Sequence, residues 1–146
     1  MVTMDDLDRA IIAQLSQDGR MSVAVLARRV KVARSTVQAR LERLETTGAI
    51  AGYTVRLGDN ARQARIRATC LLAVEAKAQP ALLGRLRAMP AVERVNSTSG
   101  RVDLLVQLAC GSTSELDDVL DQIGNLSGVK SSESLIHLSI KFERGG

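Results

Sequence analysis

The spacing of hydrophobic residues near the N-terminus predicts two short amphipathic helices. In the stretch DDLDRAIIAQLSQDGR, apolar residues recur every three or four positions, acidic residues occupy the first turn, and Gly19 marks the end. In the stretch SVAVLARRV, Ser22 is a suitable N-cap and apolar residues again recur at helical spacing. The predicted inward positions are Leu7, Ile11, Ile12 and Leu15 in the first helix, and Val23, Leu26, Ala27 and Val30 in the second.

A third helix is predicted after a turn of about three residues, and it is rich in arginine. In STVQARLERL, the residues Val37, Leu41 and Leu44 are spaced i, i+4 and i+7. Ser35 and Gln38 are spaced to form a capping box at its start. The next segment, AIAGYTVRLG, has β-branched and aromatic residues after a glycine, which predicts a short strand pair, or wing, against the helices.

The second half of the chain alternates predicted strands and helices. Residues 58–64, GDNARQA, are polar without periodicity and predict a linker between a domain over 1–57 and a second domain over 65–146. A helix is predicted in PALLGRLRAM, and another, with a capping box from Ser112 to Glu115, in STSELDDVLDQIGN. The predicted strands are RIRATCLLAVEA, VERVNSTSG, VDLLVQLAC and VKSSESLIHLSIKFE, with a hairpin at Gly100–Arg101. The order is βαββαβ, the ferredoxin-like plan.

Two hydrophobic patterns in this half concern burial. The last predicted strand alternates, so that Ile136, Leu138, Ile140 and Phe142 share one face and a half-buried strand is expected. The first and third predicted strands are apolar on both faces, although the helices of a ferredoxin-like sheet cover one face only. A second copy of the chain is the simplest cover, which predicts a homodimer through the sheet.

Composition narrows the classes of function. The 146 residues are 45% hydrophobic and 25% charged, a globular balance, and Tyr53 and Phe142 are the only aromatics, which argues against base-stacking modules. Cys70 and Cys110 lie in apolar runs without metal-ligand spacing, so we expect buried thiols and neither disulfide, metal nor cofactor. We find no Cys/His pair, paired carboxylates in a recognisable loop or phosphate-binding glycine run, and we expect no enzymatic activity.

The N-terminus offers no targeting signal. It is acidic where a signal peptide is basic, and no window approaches the roughly 18 apolar residues of a membrane span. We therefore expect a cytoplasmic protein that does not bind membranes.

Positive charge is concentrated around the second and third helices. The chain carries a net charge of +4, but the stretch from Arg20 to Arg56 alone carries +6. Two short helices with a tight turn, the second presenting polar side chains, form a helix-turn-helix that places its second helix in the major groove of DNA. The predicted DNA-binding residues have two roles. The candidate base readers on the third helix are Ser35, Thr36, Gln38, Ala39 and Arg43, and the candidate phosphate contacts at the turn are Arg28, Arg29, Lys31 and Arg34. Arg40 completes the predicted set.

Two alternatives stay open at this point. The arginine-rich face can belong to a solvated three-helix bundle, and Arg40, which lies close to the buried side, is as well placed to brace Glu45 or another acidic residue as to touch DNA. The chain can also be a ligand-sensing or assembly protein that does not bind DNA and whose helical half docks a protein partner.

The chain as a whole resembles the family of leucine-responsive and asparagine regulators (Lrp/AsnC), also called feast/famine regulators. Residues 7–57 are similar to the family's winged helix-turn-helix, with RLERLETTGAIAGY an especially close match. VNSTSGRVDLLVQL resembles its Gly-x-x-Asp hairpin, here Gly100 and Asp103, and LSGVKSSESLIHL resembles the Gly-Val segment before its last strand. The resemblance implies an α+β chain: a winged helix-turn-helix domain followed by a ferredoxin-like domain.

The family's properties imply a transcriptional regulator of double-stranded DNA with a small effector, usually an amino acid. Members dimerise through the sheet, often assemble into octamers, and bind the effector between dimers. The effector-binding residues implied by position are Thr98, Ser99, Gly100, Arg101, Asp103, Ser132 and Ser134. A carboxylate such as Asp103 can hold an ammonium group, and hydroxyl and N–H groups can donate to a carboxylate.

Each of these residues also has a structural interpretation. Gly100 can serve only a positive φ, Asp103 can cap the hairpin or pair with Arg101, and the serines can face solvent. No aromatic residue lines this region, which points to a small or aliphatic ligand, or to none.

The sequence departs from the family pattern at two positions. Lys31 stands where the turn usually has glycine, and Ala33 where it usually has a capping serine, so the third helix is expected to begin late, at Ser35. The single histidine, His137, is expected to be a structural or interface residue and not a pH sensor.

Overall fold

The computed structural model describes residues 3–58, 60–62 and 64–144, which divide into two units between Asn60 and Ala61. The predicted linker, 58–64, includes positions 59 and 63, which lie outside the described residues, so its extent stays a prediction. The first unit contains helices α1 (Asp6–Gln17), α2 (Val23–Val30) and α3 (Arg34–Thr46). The second contains, in chain order, β1 (Ile66–Val74), α4 (Gln79–Arg87), β2 (Val92–Ser97), β3 (Leu104–Cys110), α5 (Thr113–Gly124) and β4 (Val129–Ile136).

The three helices of the first unit form because each buries one apolar stripe. Ile11, Leu26, Val37 and Leu44 have no exposed surface, and the other predicted inward residues pack around them. The Ser22 side chain accepts a hydrogen bond from the Val25 N–H at 3.2 Å, which confirms the predicted N-cap of α2.

The turn between α2 and α3 differs from the prediction in two respects. Lys31 ends α2 in the left-handed conformation, with φ 59° and ψ 45°, and α3 already begins at Arg34. The late start at Ser35 and the capping box from Ser35 to Gln38 were therefore wrong. Extended Ala33 is the N-cap, and its carbonyl accepts the N–H groups of Thr36 and Val37. Because alanine has no side chain that can accept a hydrogen bond, the helix starts without a side-chain cap.

The predicted wing is not a strand pair. Residues 49–58 contain neither helix nor strand, although Ile50 packs on the helical core and the Tyr53 hydroxyl donates to Glu45 Oε1 at 2.7 Å. Tyr53, Val55 and Leu57 are 58%, 78% and 50% exposed. A two-stranded hairpin is marginally stable by itself, and the large side chains beyond Ile50 stay mostly exposed in the described unit.

The second unit is a four-stranded antiparallel sheet in the order β2-β3-β1-β4, which confirms the ferredoxin-like plan. Helices α4 and α5 bury their apolar residues against one face of the two central strands. The residues of that core are Ala68, Cys70, Leu72, Val74, Leu82, Leu86, Leu104, Val106, Leu108, Cys110, Leu116, Val119 and Ile123. Both cysteines are free and buried, as expected, and burial raises the pKa of each thiol.

The last strand is shorter than its alternation predicts. β4 ends at Ile136. Ile136, Leu138, Ile140 and Phe142 are 53%, 95%, 68% and 76% exposed in the single chain, so the prediction of a half-buried strand over these residues was wrong. The reason is the length of its neighbour. β4 is an edge strand beside β1, where Ala68 pairs with Ile136, and after the bond from the His137 N–H to the Arg67 carbonyl β1 offers little further backbone to pair.

The capping of α5 is confirmed in part. The Ser112 side chain accepts from the Glu115 N–H at 3.1 Å, but the Glu115 carboxylate accepts from the Gly111 N–H instead of completing the capping box. In the part of the chain that the structure describes, no helix has the length and hydrophobicity needed to cross a bilayer.

A glycine-to-alanine pair tests the packing before β4. Gly128 has φ +94°, and a Cβ there would lie 2.2 Å from the Ala78 Cβ. We expect Gly128→Ala to lower the free energy of unfolding by about 2–4 kcal/mol through backbone strain and overpacking. Gly84→Ala, within α4 and with open space around it, should instead raise it by up to about 1 kcal/mol. Urea denaturation measures both, and equal stability of the Gly128 variant and the parent would contradict the packing described.

Candidate nucleic-acid interface and ligand region

The side of α3 away from the core carries the predicted reading residues. Val37 and Leu44 face the core without exposed surface, whereas Ser35, Gln38 and Ala39 are exposed and Thr36 is partly exposed. The predicted division of α3 into a buried side and an exposed side is therefore confirmed. A polar helix side that is free of its own domain is what major-groove recognition requires.

Three of the predicted phosphate-contacting cations cluster at the turn between α2 and α3. Arg28, Lys31 and Arg34 are exposed, and none has an ion-pair partner among the described residues. Arg29 is also exposed and donates from Nη1 to Gln14 Oε1 at 3.3 Å. The turn thus brings together several cations whose charge no carboxylate compensates among the described residues.

Lys31, in this turn, has an unusual backbone conformation. Lys31 is the only non-glycine residue with positive φ in the described ranges. A lysine in this conformation costs roughly 1–2 kcal/mol relative to the right-handed region, whereas a glycine would be unstrained.

The other two predicted arginines of α3 are engaged within the domain. Arg43 Nη2 lies 2.5 Å from Asp8 Oδ2, and Arg40 Nη1 lies 3.2 Å from Asp8 Oδ1. The Asp8 side chain is completely buried, whereas those of Arg40 and Arg43 are 28% and 49% exposed. Both oxygens of one buried carboxylate therefore hold guanidinium groups, a paired arrangement that a buried charge requires.

Asp5 completes this cluster at the start of α1. Asp5 and Asp8 form a reciprocal capping box, in which the Asp8 N–H donates to Asp5 Oδ1 and the Asp5 N–H donates to Asp8 Oδ2. Arg40 Nη1 also lies 2.5 Å from Asp5 Oδ2. The Arg40 guanidinium, followed by the Asp8 N–H, lowers the pKa of Asp5 to about 2, and the two carboxylates raise the pKa of Arg40.

Sequence reasoning found part of this cluster. It left open that Arg40 braces Glu45 or another acidic residue, and the second possibility is confirmed, because Arg40 pairs with Asp5 and Asp8 while Glu45 accepts from Tyr53. It treated the acidic residues of α1 only as helix-start signals, and so it missed which carboxylates these are. A signal was present in the pattern Asp5-x-x-Asp8, because a carboxylate three residues into a helix at an inward position needs a cation nearby.

The predicted effector residues of the β2–β3 hairpin lie within residues 98–103, a loop whose two ends are joined by hydrogen bonds. Gly100 has φ +118°, so its structural interpretation holds whatever else it does. The Thr98 N–H donates to the Asp103 carbonyl at 3.0 Å, and Thr98 Oγ1 donates to the Val102 carbonyl at 2.7 Å. These bonds leave Ser99, Gly100 and Arg101 exposed at the tip.

Asp103 attaches this loop to β1. Its Oδ2 accepts the Val74 N–H, and its own N–H donates to the Leu72 carbonyl, each at 2.8 Å. Arg101 pairs with Glu133 at 2.8 Å and not with Asp103. Across β1, Ser132 lies opposite Leu72 and Ser134 opposite Cys70. The structure thus brings the hairpin and the two serines to opposite sides of the same few residues of β1.

The face of the sheet away from the helices has an apolar centre and a charged margin. Leu71 lies opposite Leu105, and Leu135, which lies opposite Thr69, is 50% exposed. Ion pairs join Arg67 to Glu93 and Arg101 to Glu133. On this face His137 Nε2 lies 2.8 Å from Thr69 Oγ1, which fits its predicted structural role.

Comparison with known proteins matches both halves of the chain in order. A family model described as the AsnC-type helix-turn-helix domain matches residues 4–45, and one described as the Lrp/AsnC ligand binding domain matches residues 67–146. The HTH-type transcriptional regulator FL11 of Pyrococcus furiosus is 29% identical over 140 residues, which cover 96% of this chain and 93% of that protein.

Two solved structures extend the comparison to the fold. The structure of Escherichia coli AsnC has a TM-score of 0.88 at 25% identity and covers 99% of this chain and 98% of its own. A transcriptional regulator of Neisseria meningitidis, solved as a complex with L-Met, has a TM-score of 0.84 at 24% identity, with coverage of 97% and 94%.

The Asp5–Arg40 pair predicts a pH dependence of stability. The folded-state pKa of Asp5 is about 2, below its ordinary value of 3.8. The ionised carboxylate therefore contributes to the free energy of unfolding above about pH 4, and this contribution is lost as the pH falls towards 2. The difference in unfolding free energy between the parent and Asp5→Asn, which retains the N-cap, should therefore shrink across that range. Thermal unfolding at several pH values measures it, and a difference independent of pH would contradict the ion pair.

Proposed function

Because the chain belongs to the Lrp/AsnC family of transcriptional regulators, as its sequence predicted, we propose that it regulates transcription by inserting α3 into the major groove of specific duplex sites. The observation that supports this most directly is the exposed polar side of α3 beside a turn with three unpaired cations, counted over the described residues. Activity in this family is regulation of transcription, not catalysis.

We assign base reading and phosphate contact to different parts of this surface. Ser35, Thr36, Gln38 and Ala39 lie on the side of α3 that would enter the groove, and Gln38 can bond an adenine edge with two hydrogen bonds. The cations that would contact phosphates on either side of the groove are Arg28, Arg29, Lys31 and Arg34. Arg43 was predicted as a base reader and Arg40 was included among the DNA-binding residues, but the pairs of both with Asp8 give them another role.

Two substitutions separate these roles. The operator is first selected from a random duplex library with the parent protein. Gln38→Ala should weaken binding by about 1–3 kcal/mol only at operators that carry its base, whereas Arg34→Ala should weaken binding to all duplexes and reduce the salt slope by about 0.9 per protomer. Fluorescence anisotropy over a salt series measures both. Gln17→Ala, an exposed glutamine of α1, is the control. Failure of the parent to bind any duplex would favour the protein-docking alternative.

We further propose that the second domain binds an amino acid beside β1. The match to a ligand binding domain supports this, as does the L-Met complex of the Neisseria regulator, which shares the fold. The exposed Asp103 uses one carboxylate oxygen for the Val74 N–H, which leaves the other to hold an ammonium group. Thr98, Ser99, Gly100, Arg101, Ser132 and Ser134 complete the proposed region.

A thermal-shift screen against the twenty amino acids tests this assignment. An effector at 100 times its dissociation constant should stabilise the protein by about 2.7 kcal/mol. Asp103→Asn can still accept the Val74 N–H but loses the negative charge, so it should abolish the shift without unfolding the domain. Asp117→Asn, on the exposed side of α5, should retain the shift. The absence of a shift with all twenty compounds would contradict an amino acid effector.

The assembly that would couple the two sites is a homodimer through the open face of the sheet, with dimers joined into a larger ring such as an octamer. The apolar centre and charged margin of that face support this, because such a composition is typical of protein interfaces. An effector that favours one arrangement of dimers would change the spacing at which paired α3 helices meet successive major grooves.

A further inference from the structure

The cluster around Asp8 sets two arginines of α3 apart from the cations of the turn. Arg28, Lys31 and Arg34 lack an ion-pair partner among the residues described, whereas Arg40 and Arg43 share the buried carboxylate of Asp8. We propose that Asp8 is a specificity-determining residue of this regulator, because it withholds Arg40 and Arg43 from the phosphate backbone of DNA. This inference rests on the proposed function.

The geometry makes Asp8 an effective competitor for these arginines. Its Oδ1 faces Arg40 and its Oδ2 faces Arg43, and the carboxylate is completely buried, so solvent and salt screen its charge little. Asp5 adds a second carboxylate against Arg40. The side chains of Asp5, Asp8, Arg40 and Arg43 together carry no net charge. This half of α3 therefore presents much less positive potential to DNA than its sequence implies.

The arginines would otherwise be available to DNA. The Arg40 and Arg43 side chains are 28% and 49% exposed, and both extend from the helix that would enter the groove. Each free cation that neutralises a phosphate strengthens binding to every sequence and steepens its dependence on salt.

Withholding these charges favours the specific complex. In a non-specific complex the domain is free to tilt so that its cations reach the most phosphates, whereas base contacts fix its orientation at an operator. Two additional mobile cations would therefore strengthen non-specific binding more than specific binding. The paired arginines also hold α3 against α1, which keeps Gln38 and its neighbours in one orientation.

Three substitutions of carboxylates on or next to α1 test the proposal. Asp8→Asn removes the charge that holds both arginines. Asp5→Asn removes one of the two partners of Arg40 and keeps the N-cap, because asparagine caps as well as aspartate. Asp6→Asn is the matched control, since its fully exposed side chain pairs only with Arg9, at 3.5 Å. All three remove one negative charge from nearly the same place.

The measurement is affinity for a random-sequence duplex over a salt series. Relative to Asp6→Asn, Asp8→Asn should bind more tightly at low salt, with a slope steeper by up to about 1.8 per protomer. Its loss of affinity between about 50 and 200 mM salt should then be up to about twelvefold larger than that of the control. Asp5→Asn should lie between the two, and the ratio of operator to random-duplex affinity should fall in the same order.

A triple variant tests which cations are responsible. Adding Arg40→Gln and Arg43→Gln to Asp8→Asn should return the salt slope to that of the parent, which a general change of charge on α1 would not do. Circular dichroism at the assay temperature shows whether each variant is folded. If Asp8→Asn is unfolded, the comparison of Asp5→Asn with Asp6→Asn decides instead, because both change exposed residues.

The outcomes separate this inference from the proposed function. Equal slopes for Asp8→Asn and Asp6→Asn, or weaker binding with an unchanged slope, would mean that Asp8 only supports the fold and would overturn the inference. In both cases the parent would still bind its operator. A parent that binds no duplex at all would overturn the proposed function and this inference with it.

Discussion

The buried carboxylate of Asp8, held between Arg40 and Arg43, fixes how α3 is presented by the first domain. The apolar stripe of Val37 and Leu44 decides which side of the helix faces the core, but an apolar contact is non-directional and permits sliding or rotation. Two charge-assisted pairs to one carboxylate add direction. Because Asp8 is also part of the capping box of α1, the start of α1 and the middle of α3 are positioned by the same group.

This cluster also changes how the charge of the domain should be understood. Counting residues from Arg20 to Arg56 gives +6, but that count leaves out Asp5 and Asp8, which come earlier in the chain and neutralise two of its arginines. Much of the charge that remains uncompensated lies at the turn, where Lys31 occupies a strained backbone conformation. Strain of this kind persists where the surrounding structure holds it, and it often coincides with function.

The second domain depends on a different constraint, the central position of β1 and β3. Both strands are paired on each side, and their helix-facing residues form the core of the domain. The same central position brings the hairpin loop and the serines of β4 to either side of the end of β1, where Asp103 replaces a strand partner for the Val74 N–H. A ligand region formed in this way uses backbone that the sheet has already ordered.

The sequence by itself determined the helices, the βαββαβ order, the inward residues and the exposed side of α3, because each follows from local periodicity and capping chemistry. It also carried the family resemblance. Only the tertiary structure decided which carboxylates pair with Arg40 and Arg43, that residues 49–58 form no strand, and where β4 ends. These features depend on which distant segment lies within reach: a strand needs a neighbour with free backbone groups, and an ion pair needs a partner that folding brings to the same place.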